Sequence, residues 1–206
     1  LSMVKDKKYS MSFTTGSLYH YESMTIVELY MEQQDWNATR NKAITENLLQ
    51  SRTLSTLKKV CGEVISRLKT LSPRELNYLA QTNHQEQAYL LWIAVCRRYE
   101  FIADFATEVL RERYITLKID LSYEDFDAFF NQKAEWHEEL ERITQSTRSK
   151  SRQVLFRILR ETNLLSDNNI IHAAMLSPEL LVLLREECAE DIFYFPIFEA
   201  DMKKVK

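Results

Sequence analysis

Two glycines (Gly16, Gly62) and three prolines (Pro73, Pro178, Pro196) are very few for a chain of 206 residues. These residues supply the positive or fixed φ angles that hairpins and most tight reverse turns need. A β-sandwich or barrel would need such a turn roughly every ten residues. The expected fold is therefore all-α, a compact multi-helix globular protein, and its connections should be polar rather than glycine-built. With 45% hydrophobic residues the chain can bury a sizeable core. We expect one helical domain over residues 1–206, with halves at about 1–116 and 122–206.

The hydrophobic spacing supports helices directly. Leu54, Leu57, Val60, Cys61, Val64, Ile65, Leu68 and Leu71 fall at the i, i+3, i+4, i+7 positions of one buried face. The opposite face carries Ser55, Lys58, Lys59, Gly62, Ser66 and Lys69. Other helices are expected over Met24–Met31, Thr39–Gln50, about Gln85–Tyr114 as the central helix, Ser122 to about Ile143, and Thr147–Glu161. Ile115–Leu121 reads as a linker. Ser72-Pro73-Arg74-Glu75 has the cap, the first-turn proline and the reciprocal glutamate of a helix start. Ser177-Pro178 repeats that start, each copy following a basic amphipathic helix, which hints at a duplicated helix-turn-helix unit. Asn163 suits a left-handed stop. The aromatic residues Tyr89, Trp92, Tyr99, Phe101, Phe105, Phe126, Phe129, Phe130 and Trp136 are expected in the core, and the tail Phe193–Phe198 should dock on it.

Catalytic patterns are absent. Two isolated glycines cannot build a P-loop or a dinucleotide-binding turn. His20, His84, His137 and His172 form no metal-spaced pair, and His137-Glu138-Glu139-Leu140-Glu141 lacks the second histidine of a zinc helix. The acids at Asp104, Glu108 and Glu112, and those from Glu135 to Glu141, read as solvated faces. Cys61, Cys96 and Cys188 are widely spaced, fit buried apolar positions, and suit a reducing cytoplasm. The longest apolar run, Ala88–Cys96, is too short to cross a bilayer, so no membrane partner is expected. We expect no enzyme activity, no cofactor and no metal, and a monomer.

Charge is the informative feature. The formal net charge is −3, yet residues 40–74 hold eight cations against Glu46 and Glu63. Residues 100–141 hold twelve acids against four cations, and from Arg142 to Arg160 every charge is positive. Two basic regions around an acidic one form an electrostatic footprint suited to phosphates. The candidate DNA contacts are Arg40, Lys42, Arg52, Lys58 and Lys59 in the first region, and Arg148, Lys150, Arg152, Arg157 and Arg160 in the second. Arg148, Lys150 and Arg152 alternate with Thr147, Ser149 and Ser151 near a helix start, where cations oppose the helix dipole but free N–H groups favour an anion. Replacing these three cations by alanine is expected to weaken DNA binding and to spare stability. The competing reading is a solvated basic helix paired with Glu138, Glu139 or Glu141.

Several words occur in order along the chain: Asn47–Thr56 (NLLQSRTLST), Arg67–Ser72 (RLKTLS), Phe105–Arg111 (FATEVLR) and Ser146–Glu161 (STRSKSRQVLFRILRE), with a closing Leu176-Ser-Pro. Together, from about Tyr9 to Pro196, they resemble the BrxA family, core components of bacterial BREX (bacteriophage exclusion) phage-defence systems. The resemblance implies an all-helical, double-stranded-DNA-binding accessory protein without catalytic activity, acting beside a methyltransferase, an ATPase and other BREX proteins. It also implies two helix-turn-helix-like elements, which map onto about Thr39–Thr70 and Thr147–Leu184. Asn163 departs from the glycine expected after Leu-Arg-Glu. The alternative function is a protein-interaction adaptor that docks other subunits of the defence complex.

Overall fold

Helices α1 (His20–Gln33), α2 (Trp36–Thr45), α3 (Leu54–Leu68), α4 (Pro73–Gln81) and α5 (His84–Arg98) succeed one another through short connections in the computed structural model, which describes residues 8–13 and 16–202. A second run holds α6 (Glu100–Phe105), a π-helical stretch (Ala106–Arg111) and α7 (Glu112–Ile115), which continue one into the next. Then come α8 (Tyr123–Ala134), α9 (Glu138–Glu141), α10 (Gln145–Glu161), α11 (Pro178–Cys188), a 3-10 turn (Ala189–Tyr194) and α12 (Glu199–Met202). The β-pairing among the described residues is two isolated antiparallel bridges, Asp120 with Ile170 and Leu165 with Ile171. The all-α expectation holds.

Side chains close seven of the helix starts among the described residues. Asp35, Thr53, Ser72, Asn83, Ser122, Thr144 and Ser177 each accept a backbone N–H of the first turn. At α4 the box is reciprocal. Glu75 N–H donates to Ser72 Oγ at 3.2 Å and Ser72 N–H donates to Glu75 Oε2 at 2.7 Å. Asn163 takes the left-handed conformation expected of it, with φ 60°. The two Leu-Ser-Pro starts meet in space: Arg74 pairs with Glu186 (2.6 Å) and Glu187 (3.1 Å), and Tyr78 Oη lies 3.5 Å from Ser177 Oγ.

Four expectations need correction. The central helix is broken at Tyr99, whose backbone is extended (φ −127°, ψ 94°). Its hydroxyl donates to Glu63 Oε1 at 2.5 Å and its ring packs on Phe13, so tertiary contacts override the local helical pattern. The helix from Ser122 ends at Ala134, and α9 restarts after His137, which stacks on Tyr9. The helix expected over Thr39–Gln50 starts earlier, at Trp36, because Asp35 caps it, and ends at Thr45. Trp136 is 78% exposed rather than in the core. The acidic row is also less solvated than its spacing suggests. Lys133 Nζ pairs with Asp104 (3.1 Å) and Glu108 (2.6 Å), and Asp104 also accepts the Tyr9 hydroxyl.

The core has two centres. Every residue of α5 from Ala88 to Cys96 is buried, so this helix has no polar side over those turns and must be surrounded. α1, α3, α4, α6 and the 3-10 turn pack around it. Trp92 is fully buried and donates Nε1–H to Tyr194 O at 3.0 Å. The other centre is Phe101, whose ring meets Phe126, Phe129, Phe130 and Tyr9 edge-on at centroid distances of 5.2–5.8 Å, fixing α8 and the N-terminal segment against α6. In the tail, Phe195, Pro196 and Ile197 are buried as expected, while Phe193 is partly exposed beneath the Arg111 guanidinium.

Arg67, Glu75, Glu86 and Asp191 are the buried charged side chains among the described residues, and the largely buried Arg97 joins two of them. Its Nη1 and Nη2 donate to Glu75 at 2.8 and 2.6 Å, and Nη1 also reaches Thr70 O at 2.8 Å. Its Nε donates to Asp191 at 2.9 Å, and Nη2 contacts the same carboxylate. Burial alone would lower the proton affinity of this guanidinium, but the bonds to Glu75 and Asp191 outweigh it and hold the charge firmly. Removing one partner from such a group leaves uncompensated buried charge. Arg97→Ala should cost roughly 3–5 kcal/mol in denaturant unfolding. Adding Glu75→Gln and Asp191→Asn to that variant should restore part of the loss. A triple variant no more stable than Arg97→Ala would show that charge is not what the cluster balances.

Candidate nucleic-acid interface

The two basic regions, alike in charge, are built differently. In the first, α2 and α3 pack on each other and on α1, joined by residues 46–53. Asn47 and Gln50 there adopt positive φ, 49° and 50°. The Asn47 side chain closes the loop from within, accepting Ser51 N–H at 3.0 Å and donating to Ser51 O at 3.1 Å. That clamp sets Arg52 and the α3 cap at Thr53 outward. Arg40, Arg52, Lys58 and Lys59 are exposed and make no ion pair among the described residues. Lys42 alone of the five has a partner, a half-exposed contact with Glu32 at 3.5 Å that contributes little. The one acid of α3, Glu63, is turned away and taken by Arg67 (2.7 Å) and Tyr99.

In the second region α10 begins at Gln145, two residues earlier than its spacing suggested, with Thr144 as cap. Arg148 therefore lies past the first turn, and its N–H already donates to Thr144 O at 2.9 Å. Its guanidinium is directed at α8: Nε to Asp127 Oδ1 at 2.8 Å, Nη1 to Asn131 Oδ1 at 2.7 Å, Nη2 to Asp127 O at 2.8 Å, over the Phe130 ring at 4.5 Å. Arg152 grips the other oxygen of Asp127 and stacks over Tyr123 at 4.6 Å. Two of the three hydroxyls are committed as well. Thr147 N–H and Oγ1 bond Thr144, and Ser151 is buried with its Oγ donating to Thr147 O. Of the expected cradle at this helix start, Arg148, Arg152, Thr147 and Ser151 are thus spent internally.

The remaining α10 cations divide. Lys150 is exposed and makes no ion pair among the described residues. Arg157 is exposed and reaches Gly16 O at 3.4 Å. Arg160 donates to Asn169 Oδ1 at 2.6 Å. Arg142, before α10, pairs with Glu138 at 3.2 Å, but the partner of Arg148 and Arg152 is Asp127, which neither reading named. Asp127 and Asn131 sit one turn apart on α8, but nothing in the sequence aligned that face with α10. The basic helices are tied through residues 16–18. Arg67 Nη1 donates to Ser17 O at 2.8 Å, and Glu161 accepts Leu18 N–H at 2.6 Å.

Neither pair of helices is joined by the 3–4-residue turn of a DNA-binding helix-turn-helix. Residues 46–53 separate α2 from α3, and residues 162–177, including the Leu165–Ile171 bridge, separate α10 from α11. Among the described residues no group of three or more His, Cys, Asp or Glu side chains is placed to hold a metal, and no helix is long and apolar enough to cross a membrane. Burial pushes the Cys61 and Cys96 thiols up, away from the reactive thiolate form.

Arg148→Ala with Arg152→Ala should therefore lower stability, by about 1–3 kcal/mol, since it strips Asp127 of its partners and uncovers Phe130 and Tyr123. Lys150→Ala should leave the melting temperature unchanged. A double variant as stable as the parent would contradict the structural role of these arginines.

The BrxA family model matches residues 7–187. The chain is similar to the BREX protein BrxA of Escherichia coli O9:H4 (strain HS), 25% identical over 194 residues that cover 93% of this chain and 91% of that protein. It is similar to the BREX protein BrxA of Bacillus cereus (strain H3081.97), 25% identical over 165 residues covering 80% and 82%. The fold resembles the crystal structure of an uncharacterized protein from Magnetospirillum magneticum, with TM-score 0.79 and 22% identity over 91% of this chain and 97% of that one. The family match spans both basic helices and the buried helix between them, and on that extent the chain belongs to the BrxA family.

Proposed function

We propose that this protein is a non-enzymatic, double-stranded-DNA-binding accessory subunit of a BREX phage-defence system, and that its DNA contacts centre on α2–α3. The observation that carries the reading is the uneven commitment of the cations. Arg40, Arg52, Lys58 and Lys59 face outward without ion pairs among the described residues, whereas Arg148 and Arg152 are consumed by Asp127. Unpaired surface cations release counterions from a phosphate backbone when they bind it; cations already neutralised internally gain much less. Lys150 and Arg157 contribute a secondary contact. The relatives named as BREX proteins support the assignment to that system.

A second reading, an adaptor that docks other BREX subunits, is supported by a separate observation: Trp136 stands 78% exposed between Glu135 and His137. A single projecting tryptophan beside acids suits a protein partner better than DNA.

Duplex titrations at several salt concentrations test the proposal. Log K should fall linearly with log salt, and Lys58→Ala with Lys59→Ala should make that slope shallower by about 0.9 for each phosphate the variant leaves unneutralised. Arg148→Ala with Arg152→Ala, compared at equal folded fraction, should leave the slope unchanged. A parent protein that fails to bind duplex, or binds it independently of salt, would refute the reading.

A further inference from the structure

The proposed DNA surface contains a residue the fold itself does not require. Gly62 lies in the interior of α3, where glycine is destabilising relative to alanine because it surrenders more backbone freedom. A glycine is usually retained in a helix because a neighbour crowds its Cα. Here a Cβ built on Gly62 meets nothing within 4 Å. Its counterpart shows the contrast: a Cβ on Gly16 would come within 2.7 Å of the Tyr19 ring, and its φ of 131° needs glycine in any case. Nothing in the described protein accounts for Gly62.

Its position on α3 is specific. At 100° per residue, Ser55, Lys58, Lys59, Ser66 and Lys69 all fall within about 60° of Gly62, which sits on the midline of the outward face. Lys58, Lys59 and Lys69 are exposed, and Arg98 of α5 joins the edge of this face with Nε at 3.4 Å from Ser66 Oγ. The surface is thus a row of long cations with a bare backbone between them. From such a row, a flat or convex polyanion can be touched by the helix backbone while the lysines close on it from both sides.

We infer that Gly62 is the point of closest approach between α3 and duplex DNA: the missing side chain lets the helix seat against the duplex deeply enough for Lys58, Lys59 and Lys69 to reach phosphates on either side. The inference rests on the DNA-binding reading and sharpens it. Charge complementarity favours a duplex over a protein helix as occupant, since the face presents cations and no acid. The fit is sterically demanding, because a helix with its side chains is roughly 10–12 Å across and the major groove is about 12 Å wide. One added side chain on the leading line therefore displaces the whole helix.

The test compares Gly62→Leu and Gly62→Gln with Gln153→Leu, an enlargement of apolar surface on the exposed face of α10, using a short mixed-sequence duplex at fixed salt. Gly62→Ala is the folding control. It should raise the melting temperature by roughly 2–4 °C, because the site is open and alanine is the better helix former. Gly62→Leu and Gly62→Gln should remain folded by circular dichroism and bind duplex at least about tenfold more weakly, with Gln153→Leu near the parent. Parental affinity in both Gly62 variants, while Lys58→Ala with Lys59→Ala binds weakly, would overturn the inference and leave the DNA-binding reading standing. Weakened binding in Gln153→Leu but not in Gly62→Leu would also overturn it, moving the closest approach to α10. A parent that binds no duplex would overturn the underlying reading and the inference with it.

Discussion

A guanidinium at the C-terminal end of α5, bonded to two buried carboxylates, holds this fold in register. Arg97 ties together the end of α3 through Thr70 O, the start of α4 through Glu75 and the 3-10 turn through Asp191. Glu75 is simultaneously the reciprocal residue of the α4 capping box, so the same carboxylate starts one helix and neutralises the end of another. Apolar packing around Ala88–Cys96 is nondirectional and would tolerate sliding or rotation of the surrounding helices. The Arg97 cluster does not, because its planar guanidinium bonds acceptors on three different segments at once. The orientation of α3, and with it the face that carries Lys58 and Lys59, follows from that constraint.

What the sequence made legible was the set of features with short-range causes. The helical class followed from turn chemistry, the caps at Ser72, Ser122 and Ser177 from side-chain hydrogen bonding, and the buried face of α3 from its spacing. The break at Tyr99 was not legible, because its cause is Glu63, 36 residues away in sequence. Nor was the fate of Trp136, an aromatic in a periodic stretch that the restart at α9 turns outward. Boundaries slipped where a cap lies upstream of the apolar period, as at Asp35.

The basic regions show the same limit in electrostatic form. A count of charges along the chain reports where cations are, not whether they are free. Arg148 and Arg152 share Asp127, and aromatic rings cover both, so these two behave as packing elements. Lys58 and Lys59 contribute nothing comparable to the interior. Two stretches that look equivalent on a charge map therefore divide into an internal clamp and an external surface. The division depends on one aspartate contributed by a different helix.

The placement of Asp191 and Tyr194 has a consequence for how the protein comes into being. Arg97 and Trp92 on α5 find these partners 94 and 102 residues further along the chain. During synthesis from the N-terminus, α1 to α5 emerge with the buried run Ala88–Cys96 open on the side that the 3-10 turn will cover. The nascent chain must keep that flank from sticking to other chains for the time it takes to make the whole acidic and basic second half. Emergence of the 3-10 turn then covers this flank late, so a ribosome stalled within α11 would carry a chain whose central tryptophan is still uncapped.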